Sequence, residues 1–316
     1  MKEIRHFERS SMKKFPVLKK SGGISNGAES TPFVYKNRLL LLSTLWGGFG
    51  ELKGCCAVIR DYFTQEVYAA VGGEGYRFYS AFCENDHVYV FCTKDNRVYC
   101  YQSDDLKTWN KYVALEMPEM FELFNTSVCK GDGVYMMAIE CAWAGQGSWD
   151  QENKVGNPYI GEYYTEFFAR SADLIHWGNL PFDMSYTKER YNACPALRYC
   201  EGYYYMICLE RLPCNHYAPY MYRTCDFSTW EVGLYNPILL ASEEDRKVKE
   251  GLVEPPRIVA DYVNTNNSDV DLCEYEGKTY LVYNSGHQGE AKGFNGLLCE
   301  AIYEGPLDEY LKANFE

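Results

Sequence analysis

Asn266-Asn267-Ser268-Asp269-Val270-Asp271-Leu272-Cys273-Glu274-Tyr275-Glu276-Gly277-Lys278-Thr279-Tyr280-Leu281-Val282-Tyr283 reads as one β-hairpin. A strand carrying two acids runs into a Glu-Gly turn and returns as an aromatic and β-branched strand. Asp269 and Asp271 are two apart, so alternation predicts that they share a face of the strand. Carboxylates at the start of an otherwise apolar strand are costly to bury without partners.

The same hairpin occurs four more times. Thr31–Ser43 turns at Lys36-Asn37-Arg38, and 78–93 turns at Glu84-Asn85-Asp86. Asn125–Glu140 turns at Gly131-Asp132-Gly133, and Asn192–Glu210 turns at Glu201-Gly202. Each hairpin is followed by at least one further strand pattern, at a spacing suited to propeller blades. Three units close on one signature: Ser103-Asp104-Asp105-Leu106-Lys107-Thr108-Trp109, Ser171-Ala172-Asp173-Leu174-Ile175-His176-Trp177 and Thr224-Cys225-Asp226-Phe227-Ser228-Thr229-Trp230. The hydroxyl and the Asp can cap a tight turn, and the Trp can pack between neighbouring units. The expected fold is all-β, a five-bladed β-propeller in one domain over 1–316. A turn or two of helix is expected in the charged connector 242–256, and almost none outside it.

Composition agrees with a large core. The 316 residues are 47% hydrophobic and 16% aromatic, with 29 Tyr, a residue suited to half-buried strands. Thirty-one Lys and Arg against 44 Asp and Glu give a charge of −13 without a basic run, so nucleic acid is not an expected partner. The 14 Cys lack a CxxC pair, and several occupy apolar strand positions, so neither zinc nor any other metal or cofactor is expected. Met1–Lys20 does not resemble a signal peptide, and no run reaches the roughly 18 apolar residues of a membrane span. Cysteine-rich without an export signal, the chain is expected to be cytoplasmic with reduced thiols and no membrane partner.

The repeated Trp turn resembles that of the five-bladed propeller glycosidases, the broad group holding families 43, 32 and 117. The resemblance runs from about Glu29 to Tyr303. It implies a sugar-binding funnel on the propeller axis, with catalytic carboxylates near the starts of innermost strands. Family 43 typically begins its first blade with Asp-Pro, the Asp being the general base. Here blade 1 has Thr31-Pro32 and blade 4 has Cys194-Pro195. Only blade 5 places an acid, Asp269, at the matching position. A distant branch is therefore implied.

In antiparallel hairpins arranged around an axis, the open ends gather on one face. Glu29, Thr31, Thr44 and Trp46 arrive there from blade 1. Tyr79, Ser80, Lys94 and Asp95 arrive from blade 2, and Asn125, Glu140 and Trp143 from blade 3. Blade 4 brings Asn192, Glu210 and Arg211; blade 5 brings Asp269, Asp271, Asn284 and His287. Carboxylates beside aromatic rings suit a small carbohydrate. Asp269 is the expected base or electrostatic partner, and Glu210 or Glu140 the acid, the two Glu occupying equivalent strand ends. Glu29, Trp46, Asn125, Trp143, Asn192, Arg211, Asp271 and His287 are expected to bind substrate, with Asp271 in a supporting role. Each has a plainer reading: Glu140 and Glu210 as solvated strand ends, Asn125 and Asn192 as caps, Trp46 and Trp143 as loop packing. The expected activity is hydrolysis of a small oligosaccharide or glycoside. Phosphorolysis is one alternative, needing a cationic pocket to which Arg211 and Lys94 could contribute; a non-catalytic glycan- or protein-binding propeller is the other.

Overall fold

In the computed structural model, residues 15–27, 29–73, 75–143, 164–186, 190–213, 216–252, 255–257, 263–286 and 296–316 are described. Their strands form four-stranded antiparallel meanders. The first is β2 (Ser30–Tyr35), β3 (Arg38–Leu45), β4 (Cys56–Asp61) and β5 (Val67–Gly72). The second is β6 (Arg77–Glu84), β7 (His87–Lys94), β8 (Arg97–Ser103) and β9 (Asn110–Glu116). The third is β10 (Phe121–Gly131), β11 (Val134–Trp143), β12 (Thr165–Ser171) and β13 (Trp177–Asn179). In the fourth, β14 (Asn192–Cys200), β15 (Tyr203–Leu212), β16 (His216–Thr224) and β17 (Glu231–Val232) follow in order. The fifth takes β18 (Asn266–Tyr275), β19 (Lys278–Gly286) and β20 (Leu297–Tyr303), and its outer strand is β1 (Lys19–Ser25). One parallel pairing, Tyr217 with Asn266, joins the last two meanders into a single sheet.

The inner hairpin of every meander turns on two consecutive residues of positive φ: Lys36-Asn37, Asn85-Asp86, Asp132-Gly133, Glu201-Gly202 and Glu276-Gly277. Such turns carry the twist that matches the flanking strands, which is why Asn, Asp and Gly stand where the sequence punctuates. The first strands β2, β6, β10, β14 and β18 touch in sequence, and β18 returns to β2, so the fold is a β-propeller whose innermost strands ring an axis. Side-chain hydroxyls link neighbours around that ring. Ser80 bonds Thr126 at 2.9 Å, and Ser127 Oγ accepts the Leu197 N–H at 2.9 Å.

The ring closes where β1 pairs with β20. Two ion pairs with buried acids tie the connector to that seam: Lys20 with Asp245 at 2.9 Å and Lys249 with Glu300 at 2.8 Å. Asp245 lies in a single 3-10 turn, Glu243–Arg246, and also accepts from the Ser242 N–H at 2.8 Å and the Tyr283 hydroxyl at 2.7 Å. Helix is sparse among the described residues, as the sequence suggested, and one short helix lies outside the connector. A seven-residue helix, α1 (Leu307–Ala313), follows the Gly305-Pro306 turn and buries Tyr310 and Leu311. Leu307, Tyr310 and Leu311 have the i, i+3, i+4 spacing of one apolar helix face.

The three Trp turns share one geometry. Ser103, Ser171 and Thr224 accept the N–H of the residue three ahead at 2.9, 3.0 and 2.8 Å. Asp105, Asp173 and Asp226 each accept two further N–H groups, at 2.8 to 2.9 Å. The central residues Leu106, Leu174 and Phe227 are left-handed, at φ 61, 65 and 62. The Trp side chains then reach the preceding meander: Trp177 meets Phe91 edge-on at 6.0 Å, and Trp230 stacks on Phe168 at 5.7 Å. The thirteen described cysteines are unpaired. Among the described residues no helix is long and apolar enough to cross a membrane. Phe168 is 2% exposed and also packs on Phe227 at 4.7 Å. Phe168→Ala is expected to cost about 3–5 kcal/mol of stability in chemical denaturation; a loss under about 1 kcal/mol would show that this seam contributes little.

Candidate active site

Four of the five innermost strands begin with a β-bulge at the same register. Phe78-Tyr79 oppose Cys92, Phe124-Asn125 oppose Glu140, Cys194-Pro195 oppose Cys208, and Asp269-Val270 oppose Tyr283. Phe78, Cys194 and Asp269 take left-handed backbone there, at φ 55, 53 and 51. That conformation costs a residue with a Cβ, and a bulge can re-aim its side chain toward a site. Two expectations are corrected by this geometry. The bulge lies between Asp269 and Asp271, so simple alternation does not relate them. Nor are Glu140 and Glu210 equivalent. Glu140 stands opposite a bulge, whereas Cys208 holds that position in the fourth meander and Glu210 lies two residues beyond, paired with Asn192.

The bulges wall a small concave pocket whose lining includes Glu29, Tyr79, Asn125, Cys194, Asp269 and Asp271. Glu29 precedes β2, and its carbonyl accepts the Thr44 N–H at 3.0 Å. Its Oε2 is enclosed without a hydrogen bond. Burial, then the Asp269 and Glu140 charges, hold its carboxyl well above the usual carboxylate range. Burial also raises Asp269, opposed by hydrogen bonds from Ser268, Cys194 and Asn284. Glu140, 3% exposed, accepts the Cys194 N–H at 2.8 Å and the Asn125 amide at 3.0 Å on one oxygen. Burial pushes it to about 7 in spite of these bonds. Glu29 and Asp269 therefore line the pocket, and Glu140 from a third meander is bonded to Asn125 and Cys194 of its lining.

The other expected residues lie as follows. Asp271 lines the pocket but pairs with Arg198 and accepts the Leu272 N–H at 2.8 Å, an arrangement that ties β18 to β14. Glu210 is outside that lining, is 1% exposed and faces the half-exposed Arg190; burial pushes it to about 7. Asn192 turns its amide nitrogen to Glu166, reaching Oε1 at 2.7 Å. Arg211 sits in the ladder opposite Tyr217. Trp46, 42% exposed, meets Phe78 edge-on at 5.5 Å. The ring contacts continue through Phe124, Tyr164, Tyr191 and Tyr217 at 5.0 to 5.4 Å. The Trp143 side chain and His287 lie outside the described residues.

Sequence reasoning missed Glu166, Cys194 and Arg190. Glu166 is fully buried in β12 directly opposite Glu140, and burial with the Glu140 charge raises it to about 8. An acid inside the apolar run Tyr164–Phe168 was the available signal. Cys194 holds in the fourth meander the position that Asp269 holds in the fifth.

No family model matches this sequence, and no curated protein matches it. Solved structures do match by fold. The GH32 β-fructofuranosidase BmSUC1 of Bombyx mori superposes with a TM-score of 0.53 at 13% identity, over 90% of this chain and 62% of that one. The chain thus spans less than two thirds of that protein's length. The α-L-arabinofuranosidase PaAbf62A of Podospora anserina, in complex with cellotriose, gives 0.59 at 10% identity over 92% and 98% of the two chains. The GH43 BlXynB protein of Bacillus licheniformis gives 0.57 at 13% identity over 90% and 54%. The likeness is one of fold.

Glu140 and Glu166 hold their protons far above the ordinary value of 4.5, at about 7 and about 8. A carboxyl raised on folding stabilises the folded state fully below its unfolded pKa and loses that contribution as pH rises through its folded pKa. These two groups should therefore lower stability progressively from pH 4.5 to about 8. Denaturation midpoints across that range should fall less steeply in Glu166→Gln than in the wild type. Parallel curves would show that Glu166 does not bind a proton on folding.

Proposed function

We propose that this protein is a glycoside hydrolase acting on a small oligosaccharide or glycoside, with buried carboxyl groups as acid and base. One observation carries the reading: Glu29 and Asp269 line a concave pocket at the ring of innermost strands, and Glu140, from a third meander, is bonded to Asn125 and Cys194 of its lining. A fold shared with solved glycoside hydrolases supports it. Buried acids driven to different protonation states are what acid and base assignments require.

Asp269 is the candidate base of the set: burial raises its carboxyl, and the Ser268 hydroxyl donates to it. It would activate water or stabilise positive charge at the anomeric carbon. Glu140, at about 7, keeps a proton into the neutral range and is the preferred donor to the leaving oxygen. Asn125 and the Cys194 N–H fix that carboxyl on one oxygen. Glu29 is held neutral and offers an unmet oxygen to a sugar hydroxyl. Glu210 is the weaker candidate acid, since its carboxyl faces Arg190, whereas Glu140 is bonded to two residues of the pocket lining. Trp46, the one strongly exposed ring of that series, is the candidate apolar face for a sugar.

Activity should need Asp269 ionised and Glu140 protonated. It should fall as pH rises through about 7, where Glu140 loses its proton, and as pH drops through an Asp269 value that burial lifts above the ordinary aspartate range. Asp269→Asn should lower kcat at least about a hundredfold on a turned-over glycoside with folding intact. Glu140→Gln should lose the alkaline limb and be least impaired on substrates with good leaving groups. Near wild-type turnover in Asp269→Asn would remove it from the chemistry and make Glu29 the candidate base.

A further inference from the structure

We propose that Ser268 and Asn266 are positioning residues for Asp269: the Asn266 amide turns the Ser268 hydroxyl onto the Asp269 carboxyl, which is thereby held as an acceptor. A polar run at the start of β18 thus sets the orientation and charge of the acid that follows it. The kinetic consequence rests on the glycosidase reading; the geometry does not.

The contacts form a directed chain. Asn266 Nδ2 donates to Ser268 Oγ at 3.1 Å, and Ser268 Oγ donates to Asp269 Oδ2 at 2.5 Å. An amide NH2 cannot accept, so Ser268 receives from Asn266 and its single hydrogen is left for Asp269. Local backbone explains how three side chains so close in sequence meet. Asn266 and Ser268 are two apart in the regular part of β18, opposite Gly286 and Asn284, and share a face. Ser268 and Asp269 are neighbours and would point to opposite faces of a regular strand. The bulge that begins at Asp269, with φ 51, brings its carboxyl to the Ser268 side.

Both donors are enclosed, Asn266 at 5% and Ser268 at 3% exposure, so water competes little for these bonds. The run is anchored from outside the pocket. The Asn266 N–H donates to Asn264 Oδ1 at 3.2 Å, and Asn264 Nδ2 donates to the buried Asp245 at 2.9 Å. The acid that ties the connector to the ring seam therefore also braces the residues that hold Asp269.

A donor to the ionised form of a carboxyl favours ionisation. The titratable groups around Asp269 oppose it: Glu29 before β2 and Glu140 on β11 are acids coupled to its charge, and Cys194 on β14 lines the same pocket. Asp271 on its own strand is paired to Arg198. Removing the hydroxyl, or the amide that aims it, should therefore let Asp269 keep its proton to higher pH.

The test follows the Asp269 carboxyl by NMR in full-length protein labelled at the aspartate carboxyl carbon, with Asp269→Asn assigning the signal. Ser268→Ala should raise the titration midpoint by about one unit, and Ser268→Thr, which retains the hydroxyl, should stay near wild type. Asn266→Leu keeps the bulk of the side chain without its amide and should also raise the midpoint, which keeps the test open if Ser268→Ala does not fold. On a turned-over glycoside, the acid limb of kcat/KM should move with the midpoint. An unchanged midpoint in folded Ser268→Ala or Asn266→Leu overturns the proposal, as does a rise in Ser268→Thr equal to that in Ser268→Ala. The midpoint decides the matter even if no glycoside is turned over.

Discussion

Burying several carboxyl groups against one another is the constraint on which this structure depends. Glu29 and Asp269 line the pocket, Glu140 lies close enough to feel their charges, and Glu166 pairs directly opposite Glu140. Among the described residues none of these four has an ion pair, whereas Asp245, Asp271 and Glu300 each do. Like charges so placed cannot all ionise in a medium that solvates them poorly. They are kept by sharing protons and by a few donors: the Asn125 amide, the Cys194 N–H and thiol, and the Ser268 hydroxyl. A protein whose only task was to fold would gain from apolar residues at these positions.

The propeller makes such crowding possible. Each meander is antiparallel and turns tightly at its far end, so the strand ends that remain open converge around the axis. Bulges at four of these starts turn side chains out of alternation. Paired charges stand at the seam where β1 closes the ring, through Lys20, Asp245, Lys249 and Glu300, and at Asp271 of the pocket lining, which pairs with Arg198. Stability is concentrated away from the pocket, in the Trp turns and the aromatic contacts between meanders. This separation lets the pocket hold strained backbone at Phe78, Cys194 and Asp269.

The sequence carried the architecture because its punctuation is local. Asn85-Asp86 and Glu276-Gly277 turn where composition says they should, and the Ser-x-Asp turns of 103–109, 171–177 and 224–230 cap themselves with their own side chains. The site was only partly legible. Asp269, Glu29 and Glu140 could be placed at the open face by counting strands. The register of Glu210 could not, because a bulge adds a residue to one strand and no composition signal marks it. Glu166 escaped notice because its role comes from the strand it pairs with, and Cys194 because a cysteine among many apolar ones reads as packing. Helix α1 was overlooked because Gly305-Pro306 looked like an ending, although proline also suits the start of a helix.

Hydrolysis of a glycosidic bond is tested most directly by a panel of neutral oligosaccharides and aryl glycosides in heavy-oxygen water. Products are read by mass spectrometry with and without added phosphate. One or more panel members should release a free sugar carrying the heavy oxygen at its anomeric carbon, with no need for phosphate. A sugar released only as its phosphate ester, or a sugar bound by the protein with no panel member cleaved, would contradict a hydrolytic site.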